Sequence, residues 1–242
     1  MRIGVTDPMG IDDRFHGYAA WIAVNAPGAE IVRLSYRLGN LDDADRCDAI
    51  LLTGGGDVDP ALYGGRVDHP KLGGVDRDRD RFERAVMDGV LKHPRPFLGI
   101  CRGMQFVNVY MGGTLIPDVE EAGYHSHRSA PGTQAFHPIA IAGRGILSGA
   151  VGATHGVVNT SHHQAVGAIA PALRAVATSD DGLVEALEMP GAEKSFLLVQ
   201  WHPERLQDQS NPCGGKVAEL FLGEKLRHMK KQPTLGDDNE EA

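Results

Sequence analysis

Apolar positions recur along the chain in two periods, and the alternation between those periods predicts the elements. Residues 2–5 (RIGV) form a short apolar run and read as a strand. Residues 15–26 carry Tyr18, Trp21, Ile22 and Val24 at roughly helical spacing, so a helix follows. Residues 30–35 (EIVRLS) and 48–53 (DAILLT) read as two further strands. The second of these is apolar throughout, as a strand covered on both faces should be. A Gly- and Asp-rich loop, TGGGDVDP, leads to a charged amphipathic helix over 80–93 with Phe82, Val86, Val90 and Leu91 as its stripe. Residues 96–100 (PFLGI) are another apolar strand. It runs into Cys101 and then RGMQFVNVYMG, a buried helix that ends at Gly112 and Gly113. Strands alternating with helices predict a parallel, doubly wound sheet.

The second half changes character. HPIAIAG, ALRAVATS and GLVEALEM are short strand-like pieces between turn residues and read as an antiparallel or mixed extension. Residues 195–201 (SFLLVQW) are the last strong strand, and 213–228 form a closing helix. The predicted fold class is α/β: one domain over 1–228 with a mostly parallel, doubly wound central sheet and a small antiparallel extension. The stretch 229–242 is polar and acidic and is expected to be disordered. No internal repeat is visible.

Composition narrows the function classes. Hydrophobic residues make up 42% and charged residues 23%, which is ordinary for a globular chain. A net charge of -8 repels phosphate backbones and anionic lipids, so neither nucleic acid nor a membrane is an expected partner. Cys47, Cys101 and Cys213 are far apart with no CxxC pair. That pattern fits free thiols in a reducing compartment and offers no thiolate zinc site. No apolar run is long enough to span a bilayer, and the N-terminus lacks the pattern of a signal peptide. The expectation is a cytoplasmic protein.

Chemistry concentrates at two strand ends. Gly99-Ile100-Cys101-Arg102-Gly103 has the form G-x-C-x-G between a strand and a helix, the cysteine counterpart of a nucleophile elbow. Flanking glycines remove side chains that would clash in so tight a turn. The helix beginning at Arg102 puts its positive end by the sulfur, where negative charge is favoured, and its free N–H groups can hold an oxyanion. A buried core cysteine is the competing explanation, and it is the one adopted for Cys47 and Cys213. A thiol nucleophile needs a base and the base an orienter, and VQWHPE supplies both as His202 and Glu204. If the two strands are parallel, Cys101 and His202 emerge on the same edge. His125 and His127 form an HxH pair without further spaced ligands, so no metal site is assigned and a surface loop is expected. Asp57 and Asp59 read as turn residues, and Arg79, Asp80 and Glu83 as a structural ion-pair network. His93 and His228 read as structural or solvated.

LLTGGGDVDP, the D-x-x-R-D-x-F-E segment from Asp76 to Glu83, PFLGICRGMQ, VNTSHHQ and VQWHPE together resemble the class I glutamine amidotransferase superfamily. Within it the chain is most similar to the γ-glutamyl-γ-aminobutyrate hydrolase type, peptidase family C26. The resemblance covers nearly all of residues 1–228 and implies a flavodoxin-like arrangement. It makes Cys101 the nucleophile, His202 the base and Glu204 the orienting acid. The oxyanion donors would be Arg102 and Gly55 or Gly56. Gln105 would line the glutamyl pocket, with a core hydrogen bond as its alternative. Ser161, His162, His163 and Gln164 would close over the α-amino and α-carboxylate groups of the substrate. Thr160 departs from the serine that the family often has there. The implied reaction is hydrolysis of a small-molecule γ-glutamyl amide through a thioester, with no cofactor. Two alternatives stay open: a glutaminase subunit that passes ammonia to a synthetase partner, and a non-catalytic binding protein. A homodimer is the default assembly.

Overall fold

The structure is a computed structural model that describes residues 1–208 and 210–229, with side chains described through residue 223. The acidic tail expected over 229–242 lies outside the described residues, save Met229, the last residue of the final helix. The all-apolar runs AILL and FLGI form β3 (Ala49–Leu52) and β4 (Phe97–Ile100), buried at every position. Their side chains alternate between two apolar clusters. Leu51, Leu98 and Ile100 face one, and Ile50, Leu52 and Phe97 face the other. That two-sided burial is why these strands lack a polar face.

Around them stand β1 (Arg2–Thr6), β2 (Glu30–Leu34) and β11 (Phe196–Val199). The order β2-β1-β3-β4-β11 is parallel throughout. Helix α1 (Asp12–Asn25) and helix α6 (Pro212–Met229) cover one face through Trp21, Ile22, Val217 and Phe221. Helices α3 (Arg77–Lys92) and α4 (Arg102–Tyr110) cover the other through Phe82, Val86, Met87, Met104 and Phe106. A short α2 (Leu41–Asp45), absent from the sequence expectations, packs against α3. Helix α3 also starts earlier than expected, because the Asp76 carboxylate accepts the N–H of Arg79 at 3.0 Å and caps it. Leu91, expected in its apolar stripe, is 41% exposed. Val90 already fills the inward position, and the next residue turns about 100° away.

The antiparallel part is larger than the sequence suggested. Beyond β11 the same sheet continues as β10 (Val184–Glu188), β9 (Arg174–Ser179), β6 (Ala135–Ile141) and β7 (His155–Thr160). Each of these pairs antiparallel with its neighbour. Strand β7 escaped the sequence pattern because, as an edge strand, its first half is exposed, with Val157 pointing to solvent. Helix α5 (Ile146–Val151) packs on α6, and β5 (Leu115–Ile116) pairs with β8 (Ala165–Val166) in a separate ribbon. No described helix is long and apolar enough to cross a membrane.

One charged cluster fastens the helices of the second face to the strand ends. Arg102, the first residue of α4, pairs with both Asp80 and Glu83 of α3. Arg79 donates to Glu83 at 2.8 Å and also reaches the carbonyls of Thr53 and Gly54 at 3.0 and 3.1 Å. All four side chains are buried. Burial works against the Glu83 carboxylate, yet the two guanidiniums hold its pKa below the ordinary value. Glu83 is the shared anion, so Glu83→Ala leaves two buried cations undercompensated. Such a loss costs about 3–5 kcal/mol, and chemical denaturation of the variant should show a drop of that size.

Candidate active site

Three adjacent parallel strands end at one place. The register pairs Leu52 with Gly99 and Ile100 with Val199. The TGGG loop, Cys101 and the segment Gln200–Glu204 therefore leave the same sheet edge side by side, which is where open α/β sheets bind ligands. The Cys101 N–H donates to the Val199 carbonyl at 2.7 Å, locking the elbow to β11. Cys101 itself has φ 52° and ψ -107°, one of two non-glycine residues with positive φ among those described. A backbone held in this region is strained by roughly 1–3 kcal/mol and persists only where the surroundings impose it. Here they do. A Cβ at Gly99 would lie 2.8 Å from Leu198, and one at Gly103 would strike the Leu52 carbonyl, so α4 approaches the strands only with glycine at both places.

His202 stands between Cys101 and Glu204. Its Nδ1 lies 2.6 Å from Glu204 Oε1, and its ring is close enough to Cys101 to interact with it electrostatically. Burial opposes its charged form, but the Glu204 carboxylate and Cys101 prevail and raise its pKa to about 9. The Glu204 side chain is also buried, and the His202 imidazolium holds its pKa below the usual value. The backbone of His202 is bracketed by Asn159 of β7, which accepts its N–H and donates to its carbonyl, both at 2.8 Å. Trp201, one residue earlier, is anchored by its indole N–H on the Cys213 carbonyl at 3.0 Å. Gln200 Nε2 lies 3.5 Å from Cys101 Sγ.

The remaining candidate residues divide by their partners. The N–H groups of Arg102 and Gly55 donate to no other group among the described residues. That of Gly56 is directed at Met9 Sδ at 3.2 Å. Gln105 is buried, and its amide nitrogen donates to the Gln164 carbonyl at 2.8 Å and to Gln200 Oε1 at 3.1 Å. Those bonds match the core hydrogen-bond role considered for it. Ser161 is exposed. His163 Nε2 lies 2.9 Å from Asp57 Oδ1, joining this loop to the end of the TGGGD loop. The Gln164 amide and the nearby Tyr63 hydroxyl are buried without a well-formed hydrogen bond. His162 turns away from the triad, with Nδ1 on the Gln164 carbonyl at 2.9 Å and Nε2 toward Glu185. His127 is buried beside it, not in a surface loop, while His125 is exposed.

Two supporting residues have no role assigned by the sequence, although Tyr18 lies in the predicted stripe of the first helix and Asn159 in VNTSHHQ. Tyr18 holds the Gly54 N–H through its hydroxyl at 2.9 Å, and Asn159 brackets His202 from 43 positions away. The long-range side-chain-to-backbone bond that each makes leaves no local periodicity of its own.

Residues 40–204 match the peptidase C26 family. The chain is 42% identical over 177 residues to the glutamine amidotransferase-like protein YvdE of Lactococcus lactis subsp. lactis, covering 72% of each chain. It is 34% identical over 169 residues to the γ-glutamyl-γ-aminobutyrate hydrolase PuuD of Escherichia coli K12, covering 66% of this chain and 65% of that one. Among solved structures, the glutaminase domain of Trypanosoma brucei CTPS superposes with a TM-score of 0.61 at 15% identity over 90% of this chain and 91% of that one. A GMP synthase-type protein of Thermoplasma acidophilum gives 0.64 at 16%, over 96% and 98%. These two likenesses show the fold. The chain belongs to the peptidase C26 family, and with it to the glutamine amidotransferase-like, cysteine-dependent C–N hydrolases.

Proposed function

We propose that this protein hydrolyses the γ-glutamyl amide bond of a small γ-glutamyl amine through a thioester at Cys101. The observation that carries the proposal is the strained Cys101 elbow with the His202–Glu204 pair beside it on the neighbouring parallel strand. The name of the Escherichia coli relative supports the substrate class.

The Cys101 sulfur attacks the γ-carbonyl carbon, forming the C–S bond while the carbonyl electron pair moves onto oxygen. The N–H groups of Arg102 and Gly55 receive that oxyanion, being preorganised donors beside the elbow. Gly56 is the weaker candidate, since its N–H already has a sulfur acceptor. Collapse of the intermediate breaks the C–N bond, and the His202 imidazolium gives its proton to the departing amine. Neutral His202 then takes a proton from water, which attacks the thioester, releases glutamate and returns the sulfur to its starting state. Glu204 holds the imidazole in position and stabilises its charged form. The buried, unpartnered amide of Gln164 is available to a substrate polar group, since such groups are rarely left unsatisfied.

Glutamate release from a panel of γ-glutamyl amides, including γ-glutamyl-γ-aminobutyrate and glutamine, tests the reading. Turnover of at least one amine conjugate by the isolated chain is expected. Turnover of glutamine alone, and only after a synthetase partner is added, would replace the proposal with an ammonia-donating role. Cys101→Ala should lower the rate by about 10⁴-fold or more.

The raised pKa of His202 gives a pH prediction with a definite sign. The imidazolium is the proton donor and is lost as pH rises through about 9, so kcat/KM should fall on that alkaline limb. Glu204 raises that pKa, so in Glu204→Gln the alkaline limb should move to lower pH. An unmoved limb in this variant would detach it from His202.

A further inference from the structure

A second cluster of titratable side chains lies behind the loop that carries His162 to Gln164. His127, His137 and His162 converge on Glu185, with His127 Nδ1, His137 Nε2 and His162 Nε2 at 3.7, 3.6 and 3.6 Å from Glu185 Oε1. The four inward atoms all lie within 4.8 Å of one another. The side chain of Glu185 is fully buried and that of His162 is 2% exposed. Neither Glu185 oxygen has a hydrogen bond, nor does Nε2 of His137 or His162.

The outer nitrogens decide what the inner ones can be. His127 Nε2 is 3.2 Å from the Asp181 carboxylate, His137 Nδ1 is 3.0 Å from the Pro138 carbonyl, and His162 Nδ1 is 2.9 Å from the Gln164 carbonyl. Each of these partners only accepts, so each outer nitrogen carries the proton of its ring. In the neutral rings the three inner nitrogens therefore present lone pairs, and the fourth group is a carboxylate. The one hydroxyl beside them, Thr160 Oγ1 at 3.4 Å from His127 Nδ1, donates to the His127 carbonyl at 2.8 Å, so four acceptors face one another in an arrangement that a cation completes. Imidazoles tied back by a carboxylate or a carbonyl are also how metal-ligating histidines are oriented.

We propose that His127, His137, His162 and Glu185 form a closed structural site for one divalent transition-metal ion, with zinc the best match. Three imidazoles and one carboxylate are a tetrahedral donor set. Ligands about 2.0–2.1 Å from zinc stand about 3.3 Å apart, so the imidazoles, already 3.6–3.7 Å from Glu185 Oε1, need to close mainly on one another, from a spread of up to 4.8 Å. The four ligands come from the segment before β6, from β6, from the loop after β7 and from β10. The ion would staple these segments together and fix the His162–Gln164 loop, whose Gln164 carbonyl accepts from Gln105. The site is separate from the triad and does not depend on which amide is cleaved.

The test uses the full chain, produced without a metal-affinity tag, with metal content measured by elemental analysis. About one zinc per chain is expected, or one equivalent bound when zinc is added to chelator-treated protein, with a rise in thermal midpoint. Cobalt in its place should give the visible absorption of a tetrahedral ion. His137 is the most accessible ligand, so His137→Ala should fold yet lose the bound ion and the zinc-dependent rise. Asp181→Asn should weaken zinc binding by about 10–100-fold. Absence of stoichiometric metal together with a thermal midpoint indifferent to zinc would overturn the proposal, leaving a cluster balanced by protons. Full retention of metal affinity in His137→Ala would overturn it equally.

Discussion

The fold's chemistry depends on a buried ion network that carries no reacting atom. Arg102 sits one residue after the candidate nucleophile, yet its guanidinium points away from the sheet edge and into the carboxylates of Asp80 and Glu83. Arg79 shares Glu83 and reaches back to the carbonyls at the start of the TGGG loop. One cluster thus fixes helix α3, the elbow and the neighbouring loop relative to one another. Charges this deep contribute little net stability compared with apolar packing. Their value is directional: the side chain of Arg102 is held so that its N–H stays beside the sulfur.

Parallel pairing supplies the rest of the arrangement. Strands β3, β4 and β11 end in register, so three segments far apart in sequence meet without any long loop having to reach across. The antiparallel half is joined to the same point through Asn159, which holds both backbone groups of His202. The position of His202, the candidate base, is therefore set from two directions, by its own strand and by the edge strand four places away in the sheet.

How much of this was legible in the sequence follows from how local each signal is. The runs DAILLT and PFLGI announce two-sided burial by themselves, and G-x-C-x-G announces a sharp turn. Strands of the parallel half were found within a residue or two. Strand β7 was missed because HGVVNT begins with exposed residues and a glycine, which breaks the alternation a strand needs to be recognised. The ion network was readable as spacing in D-x-x-R-D-x-F-E, but its fourth member, Arg102, belongs to another motif. His127 was paired with His125 because they are neighbours in sequence. The fold joins it instead to His137, His162 and Glu185, which are separated by up to 58 positions, and no spacing rule spans such a set.

The left-handed backbone of Cys101 sets fold and chemistry at odds at one position. Glycine would occupy φ 52° with no steric cost, whereas cysteine must be forced there by the packing of Gly99 and Gly103 on either side. Exchanging Cys101 for glycine would relieve that backbone strain and remove the candidate nucleophile with it. Under the proposed reaction, the residue that suits this backbone best is the one the chemistry excludes, so the strain at this turn is retained for reactivity.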